Sequence, residues 1–170
     1  MRILLYGFGP YRQFRDNITA RIVKSLAKSS TLATEIFPVR FERRQFIAAL
    51  SRHRPDTVLG LGQSSRKHID VESRARNRRR ASKSAELKPI FRNRPNAWPT
   101  TLKIRAGRSL RKSNDAGDYV CNYSMYVLLD GIAREGVKTR FGFIHIPHDW
   151  NMDKAVRVVR GVLRQIRRIS

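Results

Sequence analysis

The sequence predicts an α/β fold with a largely parallel sheet, on three observations. An apolar run from Arg2 to Tyr6 passes directly into the loop Gly7-Phe8-Gly9-Pro10-Tyr11 and then into a helical pattern, which is how a βα unit opens. Strand-like and helix-like stretches go on alternating through Leu61, so the connections are βαβ crossovers and neighbouring strands run parallel. The chain ends in a one-sided amphipathic helix, as expected of an element that covers a sheet.

Taken in order, Arg2 to Tyr6 is a buried strand. Asp16 or Asn17 caps the first helix, in which Ile18, Ile22 and Leu26 share a face. Thr34 to Val39 is a second strand, with Pro38 marking an edge or a strand end. Phe41 to Leu50 is helical, turning Phe46, Ile47 and Leu50 inward, and His53-Arg54-Pro55 stops it. Asp56 to Leu61 reads as a central strand. Gly62 to Arg80 is loop-like apart from an alternating piece around Ile69-Asp70-Val71. Residues 81–101, punctuated by Pro89, Pro95 and Pro99, form an irregular excursion. A helix from about Val120 to Arg134 stops at Gly136. Phe141 to Ile146 is a strand ended by Pro147. In the last helix, Met152 to Ile169, residues Ala155, Val156, Val158, Val159, Val162, Leu163, Ile166 and Ile169 face one way; Arg157, Arg160, Arg164, Arg167 and Arg168 face the other. No internal repeat is found.

The 170 residues suit one domain, and 41% hydrophobic content suits a folded core. No apolar run approaches the roughly 18–20 residues that span a bilayer, and the N-terminal apolar piece is too short for a signal peptide. The single cysteine forms no internal disulfide, so a reducing compartment, the cytoplasm, is expected. Thirty-six Lys and Arg against thirteen Asp and Glu give a net charge of +23. Such an excess attracts nucleic acid, anionic membranes or acidic partners, or is a coding bias without purpose. Arg74, Arg76, Arg78, Arg79 and Arg80 are its densest point.

That one cysteine, Cys121, lies in Ser113-Asn-Asp-Ala-Gly-Asp-Tyr-Val-Cys-Asn-Tyr-Ser-Met-Tyr126, four residues after a glycine and at the start of an apolar helical run. Free N–H groups and the dipole at a helix start favour a thiolate. A cysteine nucleophile needs a histidine for its proton and a third group to orient that histidine. Of four histidines, His53 reads as a solvated helix-end residue, His68 lies in the basic loop and His148 just beyond a strand. His145 stands inside an apolar strand near its carboxyl end, where functional residues of open α/β sheets gather. Glu72, Asp70 and Asp149 compete as the orienting carboxylate, and spacing alone does not choose among them.

Five blocks resemble the pyroglutamyl-peptidase I family of cysteine peptidases. They are Gly7-Phe-Gly-Pro-Tyr11 with Asn17; Gly60 to Asn77 with its Ile-Asp-Val-Glu72; Arg94-Pro-Asn-Ala-Trp-Pro-Thr-Thr-Leu102; Asp115-Ala-Gly-Asp-Tyr-Val-Cys-Asn-Tyr123; and Phe143-Ile-His-Ile-Pro147. The resemblance runs from about residue 2 to 169. It implies a three-layer α/β/α sandwich around a mostly parallel, mixed and twisted sheet. It also implies Cys121 as nucleophile, His145 as base and then acid, and Glu72 as the orienting group. The implied reaction removes an N-terminal pyroglutamate from a peptide through a thioester, with no metal or cofactor. The implied pocket has Phe8 and Tyr11 as walls, Tyr119 and Val120 beside the nucleophile, and Gln63 in the ring-binding loop. A homo-oligomer is implied as well.

The chain departs from the family pattern in several places. Tyr11 replaces a phenylalanine, Arg12-Gln13 a double glycine, and Gln63 stands one position out of register. An expected arginine falls at Ser82, with Arg78, Arg79 and Arg80 as stand-ins. Only Lys103 to Asn114 remains where the family fits a helix and a strand, so one covering helix is expected to be missing or reduced near residues 103–114, baring part of the sheet. Three other readings stay open: a shortened member with weak or no turnover, a basic nucleic-acid-binding protein on the same scaffold, and, more weakly, a basic helix lying on an anionic membrane.

Overall fold

Six residues, Ile3–Phe8, form β1, and all six are buried. Burial on both faces explains why this strand reads as a continuous apolar run and not as an alternating one. The computed structural model describes residues 1–11, 15–27, 32–107 and 109–168. The other elements are α1 (Ile18–Leu26), β2 (Leu32–Phe37), α2 (Arg43–His53), β3 (Thr57–Ser64), β4 (Ile69–Glu72), β5 (Arg74–Arg76), β6 (Ala97–Pro99), β7 (Leu110–Ser113), α3 (Val120–Glu135), β8 (Arg140–Pro147) and α4 (Met152–Arg168).

The main sheet has the order β2-β1-β3-β8-β4-β7. Its first four strands are parallel, β4 runs antiparallel to β8, and β7 is parallel to β4. The sheet is therefore mixed and mostly parallel, as expected. Ile3, Leu5, Leu59, Leu61, Ile144 and Ile146 pack with α1 and α4 on one face. Leu4, Tyr6, Phe8, Val58, Phe141 and Phe143 pack with α2 and α3 on the other. Because side chains alternate along a strand, His145 shares the α3 face with Phe143, and Glu72 and Asp70 share the face opposite to Ile69 and Val71.

Helix boundaries follow local chemistry. Asn17 caps α1, its Oδ1 accepting from the Thr19 N–H at 3.0 Å. Gly136 ends α3 in the left-handed conformation, φ 62°, which a residue without Cβ adopts freely. The apolar face of α4 is buried as the wheel requires and Arg157, Arg160, Arg164, Arg167 and Arg168 are exposed; Ile169 lies outside the described residues. No helix among the described residues is long and apolar enough to cross a membrane.

Some expectations need correction. The second strand runs Leu32–Phe37, earlier than expected, because Pro38 has no N–H to continue the ladder. His53 is half-buried, its Nε2 2.8 Å from Glu35 Oε1, rather than solvated. The excursion at 81–101 returns to the fold through β6, which pairs antiparallel with β5. Asn77 holds it there, accepting from the Ile90 and Phe91 N–H groups at 2.9 and 3.0 Å and donating to the Phe91 carbonyl at 2.8 Å.

Among the described residues between Leu102 and Ser113 a strand, β7, is kept and no helix forms. The bare sheet face expected there is not found. Leu102, Ile104 and Leu110 are buried in the α1/α4-side core, and Leu102 packs directly over Gly142 of β8. The Arg105 N–H donates to Gln165 Oε1 of α4 at 3.1 Å, fastening the segment down. The edge strand presents Arg111 and Lys112 to solvent, and such charges discourage edge-to-edge pairing.

Candidate active site

Cys121 is the second residue of α3, half-accessible and unpaired. Among the described residues the helix has no side-chain cap at Tyr119, and its first turn holds no acidic residue, so its leading N–H groups and positive dipole end favour a developing negative charge. The backbone around the thiol is fixed from two sides. Asn122, fully buried, donates to the Arg76 and Arg78 carbonyls at 2.9 and 2.8 Å and accepts from the Arg76 N–H at 2.9 Å. Ser124 Oγ donates to the Cys121 carbonyl at 2.8 Å and lies 3.0 Å from the Tyr6 hydroxyl.

His145 is near the carboxyl end of β8 and 6% exposed. Its Nδ1 is 2.7 Å from Glu72 Oε1, which leaves Nε2 free of Glu72, and the ring is close enough to Cys121 for the thiol to act on its charge. Burial acts to lower the His145 pKa, but the hydrogen bond and charge of Cys121, and then those of Glu72, raise it to about 9. Burial acts to raise the Glu72 pKa, yet the His145 hydrogen bond and charge, with Ser113 and Arg66, hold it below the ordinary value. Glu72 Oε2 receives no hydrogen bond among the described residues. Ser113 donates instead toward the Asp115 carbonyl and accepts from Arg66 and the Asp115 N–H, so it counts as an electrostatic neighbour of Glu72.

Among the three carboxylates, contact with His145 singles out Glu72. Asp70 sits directly across from His145 in the ladder, but its Oδ2 is engaged by Arg66 at 2.8 Å. Asp149 is exposed in the turn after β8. Glu72 reaches His145 diagonally from the same face as Asp70. Space for the imidazole is made by Gly62, opposite it in register: a Cβ there would stand 2.6 Å from His145 Cδ2 and 2.8 Å from Nε2.

Of the expected pocket residues, Tyr11, Tyr119 and Val120 gather at the start of α3. The Tyr11 and Tyr119 rings are 5.2 Å apart, and Val120 is buried. Phe8 is buried on the same sheet face, edge-on to Tyr6 at 5.8 Å. Gln63 is turned the other way: its Oε1 accepts from the Ile18 N–H of α1 at 3.0 Å, on the face opposite His145. Arg12 and Gln13 lie outside the described residues.

Three contributors were not singled out from the sequence. Phe41 extends the aromatic wall, 5.2 Å from both Tyr119 and Tyr123. Asn122 was signalled only as a polar residue interrupting an apolar helix. Arg66 falls within the block from Gly60 to Asn77, where nothing in the sequence marks it out. The arginine cluster is largely engaged within the fold: Arg78 pairs with Asp115 at 2.8 Å, Arg80 with Asp118 at 2.9 Å, and the Arg79 guanidinium lies 5.5 Å over Phe41.

The chain is similar to known proteins in sequence and fold. The family model described as pyroglutamyl peptidase matches residues 1–153. A pyrrolidone-carboxylate peptidase of Thermococcus onnurineus is 34% identical, with 91% of this chain and 88% of that protein aligned. One from Bacillus licheniformis is 33% identical, covering 86% and 78%. Among solved structures, a mutant pyrrolidone carboxyl peptidase from Pyrococcus furiosus superposes with a TM-score of 0.86 at 26% identity, over 96% of this chain and 97% of that one. With the family model spanning most of its length and relatives above 30% identity along nearly all of it, the chain belongs to the pyroglutamyl peptidase family.

Proposed function

We propose that this chain is a cysteine peptidase that removes N-terminal pyroglutamate from peptides, with Cys121 as nucleophile, His145 as proton carrier and Glu72 as the group that orients His145. The observation that carries the reading is the buried 2.7 Å carboxylate–imidazole bond between Glu72 and His145, in a ring whose charge Cys121 and Glu72 both favour.

With its pKa raised to about 9, His145 is a base strong enough to take the thiol proton of Cys121 as sulfur attacks. The sulfur attacks the pyroglutamyl carbonyl carbon, and the carbonyl π electrons move onto oxygen. First-turn N–H groups of α3 face that oxygen, as preformed donors that need no reorganisation. Collapse breaks the C–N bond while His145 delivers its proton to the departing amine, leaving a pyroglutamyl thioester. Neutral His145 then takes a proton from water, whose oxygen displaces Cys121 and releases pyroglutamic acid. Glu72 supports the imidazolium throughout and keeps Nε2 directed at sulfur.

A lactam-capped N-terminus carries no ammonium group, and an apolar aromatic recess with backbone donors suits it. Phe8, Tyr11, Tyr119 and Val120 are assigned to that recess, with Phe41 behind Tyr119. Gln63 is assigned to hold the start of α1 instead of the ring. A nucleophilic thiol needs a reducing compartment, so the cytoplasm is the assigned location. The test is release of a chromogenic amine from a pyroglutamyl-amide by purified protein, with and without prior treatment by iodoacetamide. Cleavage abolished by alkylation supports the reading, and cleavage unaffected by it refutes the thiol.

A further inference from the structure

Arg66 joins the two halves of the site. Its Nη1 donates to Asp70 Oδ2 at 2.8 Å and to Ser113 Oγ at 3.2 Å, and reaches Glu72 Oε1 at 3.4 Å; Nη2 donates to the Asp115 carbonyl at 2.7 Å. These partners come from β4, from β7 and from the turn that leads to Cys121. Asp115 is gripped a second time, its Oδ1 accepting from Arg78 at 2.8 Å and from the Gly117 N–H at 3.0 Å. The Asp70 and Glu72 side chains are 11% and 0% exposed and lie on one face of one strand, so two buried like charges stand side by side. A cation between them offsets their repulsion. A planar fork satisfies both carboxylates and the turn at once, which a point charge does not.

We infer that Arg66 is a positioning residue: it fixes Glu72 against His145 and ties that carboxylate to the Asp115 turn, so that base and nucleophile are placed as one unit. The inference rests on the catalytic reading of Cys121, His145 and Glu72. The groups facing Glu72 are His145 from β8, Asp70 from its own strand, Ser113 from β7 and Arg66 from the 65–68 turn. Arg66 and His145 are the cations among them.

The single cysteine gives a readout that does not depend on turnover: the rate of Cys121 alkylation by iodoacetamide against pH. Removing the guanidinium makes Glu72 easier to protonate, and an uncharged Glu72 no longer supports the imidazolium beside sulfur. In Arg66→Met the acid-side fall in alkylation should move up by about one pH unit. The kcat on a pyroglutamyl-amide should fall roughly tenfold or more while KM stays within about threefold. Arg66→Lys should restore the alkylation limb but not kcat, because an ammonium does not span Glu72 and Asp115 together. An alkylation profile in Arg66→Met equal to wild type overturns the inference. So does wild-type kcat in Arg66→Lys, which decides the matter if the methionine variant fails to fold. If the wild-type protein leaves the reporter uncut, the catalytic reading falls, whereas the alkylation profiles still judge Arg66.

Discussion

Glu72 Oε1 lies 2.7 Å from Nδ1 of His145 although the two residues are 73 positions apart and on antiparallel strands. Asp70 is the direct cross-strand neighbour of His145, and Glu72, two residues on, comes in diagonally on the same face. The diagonal placement keeps the carboxylate on Nδ1 and leaves the other ring nitrogen for sulfur. Glu72→Gln should keep the shape but remove the charge and reverse the tautomer preference. We expect kcat to fall by roughly 10²–10⁴ with little change in KM, and the His145 titration, followed by NMR, to drop from about 9 toward its ordinary value. Wild-type kcat in this variant would remove Glu72 from the mechanism.

The same pair makes stability depend on pH. The folded-state pKa of His145 is raised, so its contribution is complete below the unfolded value of 6.5 and is lost as pH rises through about 9. For Glu72 the folded value is lowered, so its contribution is present above 4.5 and is lost as pH falls through the depressed value. The two windows overlap in mildly acidic solution. Denaturant unfolding between pH 6 and 10 should show wild type losing on the order of 3 kcal/mol relative to His145→Ala. Parallel curves for the two proteins would contradict the assignment.

Gly62 leaves the space that His145 occupies. Gly62→Ala brings a methyl to 2.6 Å from His145 Cδ2, and the ring must move. Misplacement by about 1 Å costs catalysis on the order of 10²-fold, so kcat should fall by that much while circular dichroism shows an intact fold. Unchanged kcat would mean that the ring position is not critical.

Asn122 clamps the start of α3 to the segment carrying Arg76 and Arg78 with three hydrogen bonds. Asn122→Ala strands the Arg76 N–H and the Arg78 carbonyl in a part-buried place, while the Arg76 carbonyl keeps the Arg78 N–H at 2.7 Å. Urea unfolding should show a loss of roughly 2–4 kcal/mol, together with faster proteolysis in 77–96. A loss below about 0.5 kcal/mol would show that water replaces the clamp.

The legible parts of the fold were those set by local periodicity. The strands carrying Tyr6, Leu61 and Ile144 and the α4 wheel follow from runs whose burial pattern is their spacing. Cys121 and His145 were legible because each stands at an element end, where chemistry gathers. Spacing did not separate Glu72 from Asp70, since both share one strand face; the family resemblance named Glu72, and it is Glu72 that contacts His145. The direction of the Gln63 side chain was hidden by the same limit: one residue of register turns a side chain to the opposite face, and here it accepts from the start of α1. The replacement of a covering helix by Leu102 and Ile104 was also hidden, because three-dimensional proximity to Gly142 and Gln165 leaves no local pattern. Asn122 acts through partners more than forty residues away, and Arg66 ties its near neighbours Asp70 and Glu72 to Ser113 and Asp115, more than forty residues on; no spacing rule reports the long-range contacts.

The central claim is that Cys121 is the nucleophile for pyroglutamyl transfer. The most direct measurement is kcat/KM on a pyroglutamyl-amide reporter for wild type and Cys121→Ala, with circular dichroism confirming that both are folded. The account predicts measurable cleavage by wild type and a loss in the variant of roughly 10⁴-fold or more. Cleavage by Cys121→Ala at the wild-type rate would contradict it.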